Sequence, residues 1–441
     1  MTAQGSGRLD LGVEGGRIVA LGEELGEAAR SERDARGLHV LPGLVDLHVH
    51  FNQPGRERWE GLASGSGALL AGGGTTFGDM PLNSDPPLLD AAAFRAKLAA
   101  ARAHSQADFA LWGGLTPLNL EQLPELAEEG VLGFKAFMSD SGIPEFPAAD
   151  DETLRRGMET ARQLDLPVAV HAESQELTAR LGGQLNRPGA GWREYLESRP
   201  PEAELEAIGR ALGLARETGC RLHVVHVSTP AGLALISRAK AEGVDVSAET
   251  CPHYLAFSEA DLLRQGALLK CAPPLRDDAT VEGLWRSLLA GEVDTVGSDH
   301  SPCDPALKQG DAPFQASPFE VWGGIAGVQS SLAVMLTEGY ARRGLSLEAV
   351  ARLTAGTPAR RFRLAGKGEL RVGHDADLTL IDLGAHTRLE VEDLQQRWPA
   401  TSPYLGRTFS GRLRATLLRG EVACEDSRLN DGIRGRLLRP G

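Results

Sequence analysis

The sequence predicts an α/β protein: a (β/α)8 barrel of the TIM type with a small β-sandwich domain formed from both chain ends. Two observations predict this fold. In the middle of the chain, short apolar stretches alternate with stretches of helical pattern, and eight such apolar stretches can be counted. Both ends of the chain instead carry short strand-like pieces and glycine turns without helices between them. A doubly wound parallel sheet is the alternative fold for the alternating region.

The eight predicted barrel strands are rich in aliphatic and β-branched residues. They cover residues 43–50, 75–80, 108–113, 131–137, 167–172, 221–228, 245–251 and 294–299. Helices are predicted between them at residues 120–129, 151–164, 202–218, 231–242 and 281–292. Helix starts are indicated by Asp150 or Asp151 and by Thr280, and helix ends by Gly130, Gly219 and Gly243.

The chain ends predict one small β-domain made of two separate segments. Strand-like pieces occur at residues 17–20, 376–381 and 415–420. Short strands at both termini, with helices only between them, indicate that the two segments assemble together. We therefore predict that residues 1–41 and 367–441 form the small domain and that residues 42–366 form the barrel.

Composition and charge exclude several classes of partner. The formal net charge of -14 argues against nucleic acid or an anionic membrane surface as the main partner. The N-terminus lacks the basic and apolar regions of a signal peptide, and no apolar run is long enough to span a membrane. The five cysteines form no CxxC pair, so neither a disulfide framework nor a cysteine-zinc site is indicated. We expect a cytoplasmic enzyme.

The stretch GLVDLHVHF, residues 43 to 51, places two histidines in the first predicted strand. A spacing of two puts His48 and His50 on one face, where both can bind one metal ion, although a hydrogen-bonded polar face is the alternative. Active sites of barrel enzymes lie at the C-terminal ends of the strands. Four further polar residues lie in or at the ends of predicted strands: Lys135, His171, His226 and Asp299. Together the six residues can hold two metal ions.

Three of these residues allow a second interpretation. Lys135 lies among apolar residues and could simply extend its ammonium group to the surface; alternatively, desolvation lowers its pKa so that the neutral amine reacts with carbon dioxide to give a carbamate. His223 and His226 are three residues apart, which places them on opposite faces of a strand. We expect His226 to point into the barrel and His223 to pack on the outer face. Asp299 could instead cap a helix.

These residues stand in motifs that resemble the cyclic amidohydrolases of the amidohydrolase superfamily, and within them the allantoinases. The resemblance covers essentially the whole chain. It rests on PGLVDLHVHFNQPGRERWEG at 42–61, GGGTTFGDMPLNSDPP at 72–87, GFKAFMSDSGIPEFP at 133–147, VHAES at 170–174, HVVHVSTP at 223–230, ETCPHYL at 249–255, KCAPPLRD at 270–277 and SDHSPC at 298–303.

The resemblance implies a role for each candidate residue. His48, His50 and Asp299 would bind one metal ion, His171 and His226 the other, and Lys135, as N6-carboxylysine, would bridge them. Two divalent ions, zinc or alternatively cobalt, manganese or iron, would activate a shared water, and Asp299 would transfer its proton to the leaving nitrogen. A homo-oligomer, tetramer or dimer, is expected, as in similar proteins.

The subfamily is indicated by a few positions. Dihydroorotases typically carry an arginine two residues after the second histidine, where it pairs with the substrate carboxylate. Here the residue is Asn52, whose neutral amide suits a ureido-bearing ring such as allantoin. Asn83 also resembles allantoinases, and His253 occupies a position that contacts substrate in these families. We therefore expect hydrolysis of allantoin to allantoate in purine catabolism.

Two alternatives to this function fit parts of the sequence. One is another ring hydrolase, a dihydroorotase or a hydantoinase of the dihydropyrimidinase type. The other is a non-catalytic scaffold, which the six intact metal-binding positions disfavour. The chain departs from similar proteins at residues 1–10, a polar stretch where they carry another strand. Either the small domain lacks an edge strand or the chain start lies too late.

Overall fold

The computed structural model describes residues 7–26, 29–309 and 317–441. Eight parallel strands follow one another around a barrel, and the third strand is in two pieces separated by Trp112. Their bounds are Leu44–Val49, Gly74–Asp79, Asp108–Leu111 with Gly113–Gly114, Phe134–Phe137, Val168–His171, Leu222–Val224, Val246–Thr250 and Thr295–Val296. The predicted fold class is confirmed.

The barrel closes where its eighth strand returns to the first. Strands one to three pair in parallel, and strands three to eight form a second run of parallel pairs. Beyond the eighth strand, His300 forms a parallel bridge with Val49, and its carbonyl oxygen accepts a hydrogen bond of 2.8 Å from the His50 amide. This closure brings the chain after the eighth strand against the histidine pair of the first.

Helices cover the outside of the barrel. Leu222 and Val224 of the sixth strand belong to the same apolar cluster as Ile208 and Ile236 of the flanking helices. The main helices are Leu62–Ala71, Ala91–His104, Leu123–Glu129, Asp151–Gln163, Gln175–Leu185, Trp192–Ser198, Pro201–Thr218, Pro230–Ala241, Glu259–Gln265 and Asp278–Leu289. Shorter helical pieces follow between Val328 and Arg361. No helix in the described ranges is both long and apolar enough to cross a membrane.

Local sequence signals explain most helix ends. The Asp150 carboxylate accepts a hydrogen bond of 2.8 Å from the Thr153 amide, as an N-cap does. Gly130, Gly219 and Gly243 have positive φ angles, as predicted for residues that end helices. The prediction for Thr280 is wrong, because Asp277 caps that helix by accepting from the Thr280 amide at 2.8 Å.

The small domain is built from both chain ends. Strand His39–Pro42 pairs with Leu378–Arg388, and the antiparallel sheet continues through Thr408–Leu418, Glu421–Glu425 and Arg428–Leu429. A hairpin of Asp10–Glu14 and Arg17–Gly22 packs against it through Ile18. A strand therefore precedes Gly15-Gly16, and the expectation of a missing edge strand is wrong for residues 10–14; residues 1–6 lie outside the described ranges. The domain boundaries at 41/42 and 366/367 stay a prediction.

A buried ion cluster joins the small domain to the barrel. The Lys367 ammonium lies 2.6 Å from Asp108, 2.9 Å from Asp375 and 2.6 Å from Asp377. Burial opposes its positive charge, but the three carboxylates raise the pKa of Lys367 above its usual value. Although the three aspartates have the spacing of a metal site, the ammonium group already occupies the point where their oxygens converge.

Candidate active site

The first strand and the end of the eighth bring three predicted ligands together. His48 Nε2 lies 3.3 Å from Asp299 Oδ1, and His50 Nε2 lies 3.4 Å from the same oxygen. One ligand atom from each of the three residues lies within 4.8 Å of the others, and all three side chains are buried. Two imidazoles and a carboxylate at this spacing fit a divalent cation.

A second pair of predicted ligands lies beside this group. His171 Nδ1 is 3.0 Å from His226 Nε2, and the His226 ring centroid is 5.5 Å from that of His48. Glu173 accepts a hydrogen bond of 2.8 Å from His171 Nε2, which assigns the proton to that nitrogen and leaves the Nδ1 lone pair directed at His226. Two imidazole nitrogens that converge in this way fit a second cation.

Lys135 lies on the fourth strand, fully buried. Its Nζ has no hydrogen-bond partner among the residues described, and it lies 5.2 Å from the centroid of the Phe137 ring. Burial lowers the pKa of Lys135 to about 7, although Asp299 and Glu249 partly oppose this. The interpretation of Lys135 as a surface-extending lysine is therefore wrong, and a substantial fraction of its amine is neutral near pH 7.

Two buried glutamates that sequence reasoning missed hold the histidines. Glu249 Oε1 lies 2.6 Å from His48 Nδ1, which leaves His48 Nε2 free to face Asp299. Glu173 has the same role toward His171, and Arg199 Nη2 lies 3.2 Å from its Oε2. Carboxylates that fix the tautomer of a ligating histidine are a common outer layer of metal sites. The sequence signal available was a glutamate two residues after His171 and a second on a buried strand.

The position of His223 contradicts one prediction about this region. The sixth strand ends at Val224, and His226 has a φ of 40°, so side chains no longer alternate between faces at this point. Leu222 and Val224 face the helices, whereas His223 lies 2.8 Å from Ser247 Oγ and 3.5 Å from Glu249 Oε2. His223 therefore contacts the same buried network as His48, and its prediction as an outer-face residue is wrong.

Asp299 combines a strained backbone with a strongly acidic carboxyl group. Its φ of 43° lies in the left-handed region, which a non-glycine residue adopts at a cost of order 1 kcal/mol or more. Burial alone would raise the pKa of Asp299, but His48 and His50 hold it well below the usual value. The side chain is thus a carboxylate at neutral pH, held among the histidines rather than capping a helix.

The three predicted substrate contacts are all buried, at the C-terminal side of the strands. Asn52 and Asn83 have left-handed φ angles of 64° and 67°. The Asn52 side-chain Nδ2 donates to the Pro302 carbonyl at 3.1 Å, while the Asn83 backbone carbonyl accepts from Arg56 Nη1 at 3.2 Å. Burial lowers the pKa of His253 to about 4, with Asp299 opposing, so this imidazole is neutral at pH 7. Their contacts with substrate stay predictions.

A (β/α)8 barrel with candidate ligands for divalent cations at its strand ends defines the class of metal-binding barrel enzymes. The model of the "Amidohydrolase family" matches residues 39–423. The chain belongs to the amidohydrolase family, as its motifs predicted.

Curated relatives and solved structures narrow this class. The chain is 55% identical over 432 residues to an allantoinase of Solibacter usitatus, covering 98% of this chain and 93% of the relative. It is 53% identical over 441 residues to an allantoinase of Deinococcus radiodurans, covering 100% and 97%. An L-hydantoinase structure from Arthrobacter aurescens matches with a TM-score of 0.92 and 34% identity, covering 98% of this chain and 96% of that chain. A dihydropyrimidinase from Brevibacillus agri matches with a TM-score of 0.91 and 29% identity, covering 100% and 96%.

Proposed function

We propose that the chain is an allantoinase, which hydrolyses a ring amide of allantoin to give allantoate in purine catabolism. The observation that supports the reaction class is that His48, His50, His171, His226 and Asp299 lie together, near enough to buried Lys135 to affect its charge. The allantoinases that are 53% and 55% identical over nearly the whole chain support the substrate. The hydantoinase and dihydropyrimidinase structures share the fold at lower identity and represent the alternative ring hydrolases.

The site fits two divalent ions, with zinc as our first choice and cobalt, manganese or iron as alternatives. His48, His50 and Asp299 would hold one ion and His171 and His226 the other, with Lys135 as N6-carboxylysine between them. The free, buried Nζ of Lys135 supports this modification, because only a neutral amine reacts with carbon dioxide. The ions would supply Lewis acidity toward water and toward the ring carbonyl.

The chain's own residues would move the proton and orient the ring. Asp299 is ionised at neutral pH, so it can take a proton from the attacking water at a carboxylate oxygen and return it to the ring nitrogen as the amide bond breaks. His253 is neutral, and within the described ranges its Nε2 has no partner, so it can make one hydrogen bond to substrate. Asn52 and Asn83 would match the ureido group with neutral amides, without the positive charge that a carboxylate-bearing ring requires.

We also propose a cytoplasmic homo-oligomer, either a tetramer or a dimer. Five cysteines without a disulfide in the structure suit a reducing compartment. The hairpin of Asp10–Glu14 and Arg17–Gly22 leaves Val13 and Val19 more than 40% exposed at the edge of the small domain, where a second subunit could cover them. Sedimentation of the purified protein tests this proposal, and a monomer would contradict it.

The experiment that tests the function is a comparison of three rings. Purified, metal-supplemented protein is given allantoin, dihydroorotate or hydantoin, and the release of the ring-opened acid is measured. Turnover of allantoin in preference to the others supports the proposal. Preferred turnover of dihydroorotate or hydantoin would assign the chain to the dihydroorotases or the hydantoinases instead. A native protein without metal and without amidase activity would favour a scaffold.

A further inference from the structure

Residues 390–405 of the small domain form a closed loop, which we call the clamp loop. Its base is closed by two backbone hydrogen bonds, from the Leu389 amide to the Arg407 carbonyl at 3.0 Å and from the Gly406 amide to the Leu389 carbonyl at 2.9 Å. The loop connects the two long strands Leu378–Arg388 and Thr408–Leu418. A compact loop with adjacent ends is a common carrier of functional residues.

The clamp loop lies against the barrel. Gln329 of the barrel donates to the Asp393 carbonyl at 2.6 Å and accepts from the Gln395 amide at 2.9 Å. At its other end, Tyr404 is 1% exposed, and its ring centroid lies 4.9 Å from that of Phe257. The clamp loop is thus held at both ends by contacts with barrel residues.

The tip of the clamp loop binds the segment that follows the histidine pair, residues 52–61, which we call the substrate loop. Arg397 Nε donates to the Glu60 carbonyl at 2.7 Å, and the Arg397 amide donates to Glu60 Oε1 at 3.0 Å. Trp398 Nε1 donates to the Arg58 carbonyl at 2.9 Å. Two side chains of the small domain therefore hold two carbonyls of the substrate loop.

Glu60 also joins the substrate loop to the end of the eighth strand. It is fully buried, and its Oε2 lies 3.3 Å from His300 Nε2. His300 Nδ1 accepts from the Gly327 amide at 3.0 Å, so its proton is on Nε2 and is donated to Glu60. His300 directly follows Asp299. Glu60 therefore connects the clamp loop both to the segment after His50 and to the residue after Asp299.

The substrate loop is closed at its own base and carries one unused acceptor. The Gly61 amide donates to the Phe51 carbonyl at 2.9 Å, and the Arg56 amide donates to the Asn52 carbonyl at 3.1 Å. Asn52 Nδ2 donates to the Pro302 carbonyl, but the buried Oδ1 of Asn52 has no partner in the part of the chain that is described. A buried amide oxygen without a partner is costly unless a ligand supplies a donor.

We propose that Arg397 and Trp398 are positioning residues of the substrate loop, through which the small domain sets where Asn52 presents its oxygen to the ring. The inference rests on the proposed function, because it takes Asn52 as a substrate contact. A loop that is held by fewer hydrogen bonds samples more orientations, and substrate binding must then restrict them. We therefore expect the loss of these contacts to weaken substrate binding and to leave the chemical step in place.

The test is the double variant R397M/W398F in the full-length, metal-loaded protein. We expect KM for allantoin to rise about tenfold, because two hydrogen bonds each contribute modestly, while kcat and metal content stay within about twofold. Amide hydrogen exchange over residues 52–61 should become faster. The variant R397K/W398F should have a lower KM than R397M/W398F, since the lysine ammonium can again donate to the Glu60 carbonyl.

A matched control is R388M on the same domain. The Arg388 side chain pairs at 2.8 Å with Glu390 while both side chains are more than half exposed, so KM and loop exchange should not change. An unchanged KM in the double variant, or a fall in kcat together with loss of metal, would overturn the inference. If the wild-type protein turns over a different ring, the proposed function fails; the inference is then overturned only if exchange over residues 52–61 is also unchanged.

Discussion

Lys135 shows how the surroundings of a single residue determine its chemistry. The side chain is enclosed by apolar strand residues and by the candidate ligands, and Asp299 and Glu249 are not close enough to form ion pairs with its Nζ. An ammonium group in such a place is destabilised, and the neutral amine is the form that a carbamate requires. Conversion to a carbamate would replace an uncompensated cation with an anion that two cations can share.

Replacing this lysine should separate its role in the site from a role in stability. In K135A we expect kcat to fall about a hundredfold or more, because the group that we propose to lie between the two metal ions is lost. Short carboxylic acids such as propionate should restore part of the activity by occupying the space of the carbamate. Metal analysis and kinetics with and without the acid measure both effects. Activity near that of wild type would remove Lys135 from the site.

The lowered pKa of Lys135 also predicts a pH dependence for activation. Since burial lowers this pKa to about 7, the neutral amine fraction grows as pH rises and is nearly complete above pH 8. At fixed dissolved carbon dioxide, the rate at which metal-free protein regains activity should rise about tenfold per pH unit below pH 7 and then level off. Stopped assays after adding zinc measure this rate. A rate that does not change between about pH 6 and about pH 8 would contradict a lysine with this pKa.

At the scale of elements, Asp150 gives a direct test of the link between sequence and structure. Its carboxylate caps Asp151–Gln163, the helix that follows the fourth strand, and this bond lowers the pKa of Asp150. We expect D150A to lower the free energy of unfolding by about 1 kcal/mol, with kcat unchanged. D150N keeps a capping oxygen and should lose much less. Denaturant unfolding of the three proteins measures the difference, and equal losses in both variants would exclude capping as the cause.

Elements with a strong local sequence signal were predictable, whereas features that depend on contacts between distant parts of the chain were not. All eight barrel strands were identified from apolar runs, and glycines with positive φ marked helix ends at Gly130, Gly219 and Gly243. The sixth strand was predicted to reach residue 228, but it ends at Val224. His226 has a φ of 40° and lies beside His171, and a pattern of alternating residues predicts neither feature.

The same distinction applies to the site. Histidines and an aspartate at strand ends are typical of metal sites, so His48, His50, His171, His226 and Asp299 could be chosen as candidate ligands, and the structure brings them together. Glu249 was missed because its role depends on its contact with His48, which lies 201 positions earlier in the chain. The clamp loop was missed for a related reason, since its contact between Arg397 and Glu60 spans 337 positions.

At the scale of the whole molecule, buried charge holds the two domains together. Lys367 is fully buried among Asp108 of the third barrel strand and Asp375 and Asp377 of the small domain. Arg436, near the C-terminus, also lies against Asp108 and Asp375. A cluster of this kind contributes little beyond an apolar core while it is complete, but it is costly once one member is removed.

The variant K367M should therefore destabilise the whole molecule without altering the site. Removing the ammonium leaves three buried carboxylates with Arg419 and Arg436 as neighbouring cations. We expect the free energy of unfolding to fall by roughly 3 kcal/mol or more. The exposed fraction of the Arg388 and Glu390 side chains is above one half, so R388M serves as a control that should lose less than about 1 kcal/mol. Because the cluster lies at the start of the third strand, away from the strand ends that carry the candidate ligands, KM and kcat of the folded fraction should stay near those of wild type. Denaturant unfolding followed by both fluorescence and activity measures the two quantities together. A stability close to that of wild type would mean that the two domains are held by their apolar contacts alone.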